Sequence, residues 1–125
     1  MFNVLVVDDS ATMRRMVVAS LRPLADTQFR EAASGLEAIE KLVAAAADLI
    51  VLDLNMPDMH GLEVVAFVRK QATFKDIPII VLTTRGDNES RTAALAAGAT
   101  LYMTKPFTPD ELAASARRLL FGHVH

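Results

Sequence analysis

The sequence has no cysteine, which excludes a disulfide framework and a thiolate metal site and fits a reducing compartment. It has no tryptophan, one tyrosine and six phenylalanines, so its interior must be packed from aliphatic side chains. Neither charge sign dominates: 13 Lys and Arg stand against 15 Asp and Glu, a net charge of −2. Phosphate-backbone binding needs a basic field, so no nucleic acid partner is expected. No apolar run is long enough to span a bilayer, and Phe2 to Val7 lacks the length and basic flank of a signal peptide. Repeats, linkers and low-complexity tracts are also missing. These absences point to a soluble, cytoplasmic protein without a membrane partner. Its 125 residues, 52% of them hydrophobic, suffice for one domain (1–125) with a single core.

What is present is organised around Leu49-Ile50-Val51-Leu52-Asp53, a short run of large aliphatic residues that stops abruptly at a carboxylate. Such a run, followed by the turn signal Asn55-Met56-Pro57, reads as a fully buried strand. Strands of this kind belong to parallel sheets covered by helices on both faces. Asn3 to Val7 is a second apolar run closed by acid, here Asp8 and Asp9. Gln28 to Ala32 is a weaker strand suited to a sheet edge. Ile77 to Leu82 is a strong strand with Pro78 near its start, ending at Thr83-Thr84. Thr100 to Met103 ends at Thr104-Lys105-Pro106.

Between the runs lie helix signals. Ser10 caps a helix with Met13, Met16, Val17 and Leu21 on one stripe, stopped by Pro23. Ser34-Gly35-Leu36-Glu37 is a capping box, and Leu36, Ile39, Leu42 and Val43 form the apolar face behind it. Residues 54–60 read as a loop, and Leu62, Val65, Ala66 and Val68 carry a helix to about Lys70. Asp87 or Asn88 opens an Ala-rich helix closed by Gly98. Thr108-Pro109-Asp110-Glu111 starts the last helix, which runs to about Phe121. Five strands alternating with five helices predict a doubly wound α/β fold: a parallel sheet in the flavodoxin-like order 2-1-3-4-5.

In that order the first and third strands are neighbours, so Asp8, Asp9 and Asp53 converge at one sheet edge. Three adjacent carboxylates repel one another and either take up protons or bind a cation. An all-oxygen donor set selects a hard divalent ion such as Mg²⁺. Thr83 and Lys105 arrive at the same edge from the fourth and fifth strands. Cation, carboxylate, ammonium and hydroxyl around one point suit phosphoryl transfer, with a carboxylate as nucleophile.

Asp8-Asp9, then Asp53 with Asn55-Met56-Pro57, then Thr83 30 residues later and Lys105-Pro106 a further 22 on, resemble a response-regulator receiver domain. The resemblance runs from Val4 to Leu120. Asp8 to Arg15 is similar in particular to the small chemotaxis and motility regulators. The resemblance implies that Asp53 accepts a phosphoryl group from a sensor histidine kinase or phosphotransfer protein. It implies that Asp8, Asp9, Asp53 and the backbone carbonyl of Asn55 hold Mg²⁺, and that Lys105 pairs with the phosphoryl oxygens. It further implies a cis Lys105–Pro106 peptide and a switch in which Thr83 moves to the phosphoryl group and Tyr102 turns inward. The signal would then leave to a downstream protein through the face of the fourth helix, last strand and last helix. By the same resemblance the chain is a phosphoacceptor switch with self-phosphorylation and autodephosphorylation chemistry, not an enzyme.

Asn55 and Arg85 occupy positions that influence phosphoryl lifetime in the family, with a plain loop charge as the other reading of Arg85. His60 reads as a surface turn residue, not a metal ligand, and Arg14 and Arg15 as solvated charges or part of a kinase-facing surface. A Mg²⁺-dependent phosphohydrolase also starts from a strand-end Asp, but needs a second Asp where Asn55 stands. A flavin carrier would need a Ser/Thr/Gly-rich loop where Asp8-Asp9 stands. A receiver segment of a longer regulator, and a degenerate receiver that signals by binding alone, are the remaining alternatives.

Overall fold

The computed structural model describes residues 1–56 and 58–122. The turn signal at Pro57 lies outside them. Ten elements alternate as expected: β1 (Phe2–Val7), α1 (Ala11–Leu21), β2 (Thr27–Ala32), α2 (Gly35–Ala44), β3 (Leu49–Leu52), α3 (Gly61–Lys70), β4 (Ile79–Thr83), α4 (Asn88–Ala97), β5 (Leu101–Thr104) and α5 (Pro109–Phe121). All neighbouring strands are parallel and the sheet order is β2-β1-β3-β4-β5. Parallel pairing forces a crossover after every strand, and each crossover here is a helix.

The strand pleat divides the interior into two cores. Leu5, Val7, Ile50, Leu52, Ile79 and Val81 face Ala38 and Leu42 of α2, Val64, Val65 and Val68 of α3, and Ala94 of α4. Their sequence neighbours Val4, Val6, Leu49, Val51, Ile80 and Leu82 face Val17, Val18 and Leu21 of α1 and Leu112 and Ala116 of α5. This is why β1, β3 and β4 read as unbroken apolar runs instead of alternating ones. The capping signals hold too: the side chains of Ser10, Ser34, Asp87 and Thr108 each accept from the backbone N–H three residues on.

Three residues assigned to the apolar helix faces are solvent-exposed: Met16, Leu36 and Val43. A helix laid on a sheet buries one narrow stripe. On α1 that stripe is Val17, Val18, Ser20 and Leu21, and Met16 lies at its edge, half-exposed. On α2 it is Gly35, Ala38 and Leu42, and Leu36 and Val43 lie roughly a third of a turn round the helix. β4 starts at Ile79, two residues later than the pattern suggested. Proline has no N–H for a ladder, and Pro78 contributes only its carbonyl, which accepts from Ile50 N–H at 3.0 Å. Thr100 stays outside β5, and its hydroxyl accepts from Ile79 N–H at 2.9 Å. Among the described residues no helix is long and apolar enough to cross a membrane.

Candidate functional site

Asp8 and Asp53 each sit one residue past the end of a strand and still make one ladder-like backbone bond. Asp8 N–H donates to Ala32 carbonyl at 3.1 Å, and Asp53 N–H donates to Val7 carbonyl at 3.0 Å. On the other side, Lys105 N–H donates to Thr83 carbonyl at 2.8 Å. These backbone positions are set by the sheet itself, so their side chains leave the carboxyl edge from a rigid base.

Asp8, Asp9 and Asp53 each place a carboxylate oxygen within 4.8 Å of the others. Asp8 and Asp53 are buried and Asp9 is exposed. Lys105 reaches in between: its ammonium lies 2.8 Å from Asp8 Oδ2 and 3.5 Å from Asp53 Oδ2. Asp8 Oδ1 accepts from Ser10 N–H at 2.9 Å, and Asp53 Oδ1 accepts from Asn55 N–H at 3.3 Å. One ammonium cannot neutralise three carboxylates, and the surplus negative charge suits a hard cation held by oxygen. The donor set therefore fits a divalent ion such as Mg²⁺.

The loop that follows Asp53 is pinned from two sides. Gly61 opens α3 directly beneath it, where a Cβ would stand 2.7 Å from the Asp53 carbonyl oxygen and 2.7 Å from Leu54 Cα. Asp58 accepts from the N–H groups of Gly35 and Leu36 at the start of α2, at 3.2 and 3.0 Å. Those bonds, led by the one from Leu36, hold the Asp58 carboxyl below its usual range. Neither role was visible in the sequence: the partners of Asp58 come from a distant helix, and the close approach of Gly61 depends on how α3 docks under the end of β3. His60 is exposed and its Nδ1 accepts from Leu62 N–H at 3.1 Å, so it caps α3.

Thr83 is fully buried, and its hydroxyl oxygen accepts from Arg85 N–H at 3.3 Å. The Tyr102 ring lies inside the core, 7% exposed, and its hydroxyl donates to the Arg85 carbonyl. The Arg91 guanidinium stands over that ring at 5.8 Å. Burial raises the Tyr102 phenol above its usual value, with Asp87 acting in the same direction. The Arg85 side chain is half-exposed and leans toward Asp87, with Nε 3.9 Å from its carboxylate. The Lys105–Pro106 peptide is cis.

A family model described as "Response regulator receiver domain" matches residues 4–117. The chain is 47% identical over 111 residues to chemotaxis protein CheY1 of Helicobacter pylori, covering 88% of this chain and 90% of that protein. It is 43% identical over 111 residues to a chemotaxis protein CheY homolog of Campylobacter jejuni, with coverages of 88% and 85%. Among solved structures, chemotaxis response regulator CheY4 of Vibrio cholerae superposes with a TM-score of 0.87 at 42% identity, covering 96% of this chain and 99% of that one. The Mn²⁺-bound form of response regulator Rcp1 superposes at 0.88 with 26% identity, covering 99% and 98%.

Proposed function

We infer that this chain, which belongs to the response regulator receiver domain family, is a phosphoacceptor switch in which Asp53 carries the phosphoryl group. The observation behind this reading is the Lys105 ammonium set between Asp8 and Asp53 in a cluster of three carboxylates. Asp8, Asp9 and Asp53, with the Asn55 backbone carbonyl, would hold Mg²⁺, which supplies neutralising charge for the phosphoryl oxygens. An Asp53 carboxylate oxygen forms a bond to phosphorus while the phosphorus–nitrogen bond of a phosphohistidine donor breaks. The electron pair leaves with the imidazole. Lys105 shifts its donation from the carboxylates to a phosphoryl oxygen, where charge accumulates during transfer.

Autodephosphorylation is attack by water on the same phosphorus, which returns the Asp53 carboxylate and releases inorganic phosphate. Asn55 and Arg85 border the approach and tune this rate; an unchanged decay in Arg85→Ala would remove Arg85 from the role. A histidine kinase or phosphotransfer protein is the donor. Thr83 and Tyr102 carry the change to a downstream protein on the α4-β5-α5 face. The chemotaxis role named for the H. pylori and C. jejuni relatives is the pathway we assign.

Intact-mass analysis after incubation with acetyl phosphate, with and without Mg²⁺, tests the reading against an Asp53→Ala variant. A single phosphoryl adduct that requires both Mg²⁺ and Asp53 is expected. An adduct that persists in Asp53→Ala, or none under any condition, would sink the phosphoacceptor assignment.

A further inference from the structure

We propose that Arg14 is a positioning residue for the cation site, acting through the peptide that joins Asp8 to Asp9. The inference rests on the reading of Asp8, Asp9 and Asp53 as Mg²⁺ ligands. Arg14 lies in α1, and its Nη1 donates to the Asp8 carbonyl at 2.6 Å. Its Nε donates to Glu31 Oε1 of β2 at 2.8 Å. The guanidinium thus spans from the edge strand to the turn between β1 and α1, and its side chain is only 15% exposed. Its neighbour Arg15 differs: it is exposed, and its guanidinium meets the Thr12 hydroxyl at 3.5 Å.

The carbonyl that Arg14 holds belongs to the Asp8–Asp9 peptide. A peptide unit is planar, so fixing its oxygen fixes the direction in which the Asp9 Cα departs. Asp8 has other restraints, because Ser10 N–H and Lys105 each hold one of its carboxylate oxygens. Asp9 is exposed, so the placement of its carboxylate depends on this backbone. Glu31 sets the orientation of the guanidinium fork, and a lysine cannot satisfy both partners in that geometry.

Charge and position predict opposite signs here. As a positive charge, Arg14 opposes a cation, and its removal would tighten Mg²⁺ binding. As a positioning group, its removal spreads the carboxylates and weakens binding. Calorimetric titration of the full chain with magnesium chloride separates the two, using Arg14→Gln, Arg14→Lys and the distant Arg69→Gln. Arg69 holds the carbonyls of Gly98 and Ile77 and serves as a control for loss of stability alone. Both Arg14 variants are expected to bind Mg²⁺ about tenfold more weakly, as outer-shell changes commonly do, while Arg69→Gln keeps wild-type affinity despite a lower unfolding temperature. Arg14→Lys keeps the charge, so it carries the test by itself if Arg14→Gln does not fold. Unchanged or tighter binding in the Arg14 variants overturns the positioning role and leaves the Mg²⁺ reading intact. A wild-type chain that binds no Mg²⁺ overturns both.

Discussion

Thr83 and Tyr102 grip the same residue from opposite ends: the Thr83 hydroxyl accepts from the Arg85 N–H, and the Tyr102 hydroxyl donates to the Arg85 carbonyl. One residue of the loop between β4 and α4 therefore connects a hydroxyl at the acidic edge to the only tyrosine in the chain. In the switch proposed above, a displacement of the Thr83 side chain would free the Arg85 N–H, and the loop would carry the Tyr102 contact with it. This is a physical connection between the acidic edge and a buried ring, and it consists of two hydrogen bonds.

The phenol gives this connection a pH signature. Its folded value is raised above the usual 10.0, first by burial. A raised value means the neutral phenol stabilises the fold fully below the unfolded value, and the contribution is lost as pH rises through the folded one. With one tyrosine, phenolate absorbance reports this group alone. Its midpoint in the folded chain is expected above that in denaturant; coincident midpoints would refute the burial argument.

Lys105→Met should destabilise the chain, because it leaves buried Asp8 and Asp53 without their shared ammonium. The expected loss is about 3 kcal/mol at neutral pH, read from urea unfolding without added metal. Magnesium chloride should recover part of it, since a cation bound only by the folded state stabilises that state.

Gly61→Ala should cost about 1–3 kcal/mol. The atoms in the way are backbone atoms of Asp53 and Leu54, which cannot rotate aside as a side chain would. The same clash moves Asp53, so phosphorylation by acetyl phosphate is expected to slow in the variant even where it remains folded. A wild-type rate would place the Gly61 contact outside the chemistry.

Asp58→Ala removes a carboxylate that accepts from two N–H groups at the start of α2. The Asp58 carboxyl is held below 3.8 in the folded chain. Its contribution is therefore present above the unfolded value and disappears as pH falls through the folded value. Unfolding temperatures of variant and wild type should differ at neutral pH and converge in acid. A gap that persists in strong acid would assign the effect to packing.

Much of this architecture is written in local patterns. Unbroken apolar runs ending in Asp8 and Asp53 identify buried parallel strands, and Ser10, Ser34, Asp87 and Thr108 announce the helices between them. The handedness of crossovers then leaves few strand orders, and in the order 2-1-3-4-5 the meeting of Asp8, Asp9 and Asp53 follows from β1 lying beside β3. Helix faces were less legible: a periodic pattern names apolar residues without saying which third of the helix meets the sheet, and Met16, Leu36 and Val43 lie outside that third. The tertiary structure alone decided that Lys105 donates to Asp8 across 97 positions, that Asp58 caps α2, that Gly61 lies beneath Asp53 and that Arg14 holds the Asp8 carbonyl. Periodicity and capping act over a few residues and are readable along the chain. Lys105 with Asp8 and Asp58 with α2 join elements far apart in sequence. Gly61 beneath Asp53 and Arg14 on the Asp8 carbonyl join a strand end to the next helix, and no local pattern announces them. All four exist only once the register of the sheet has set where each element begins.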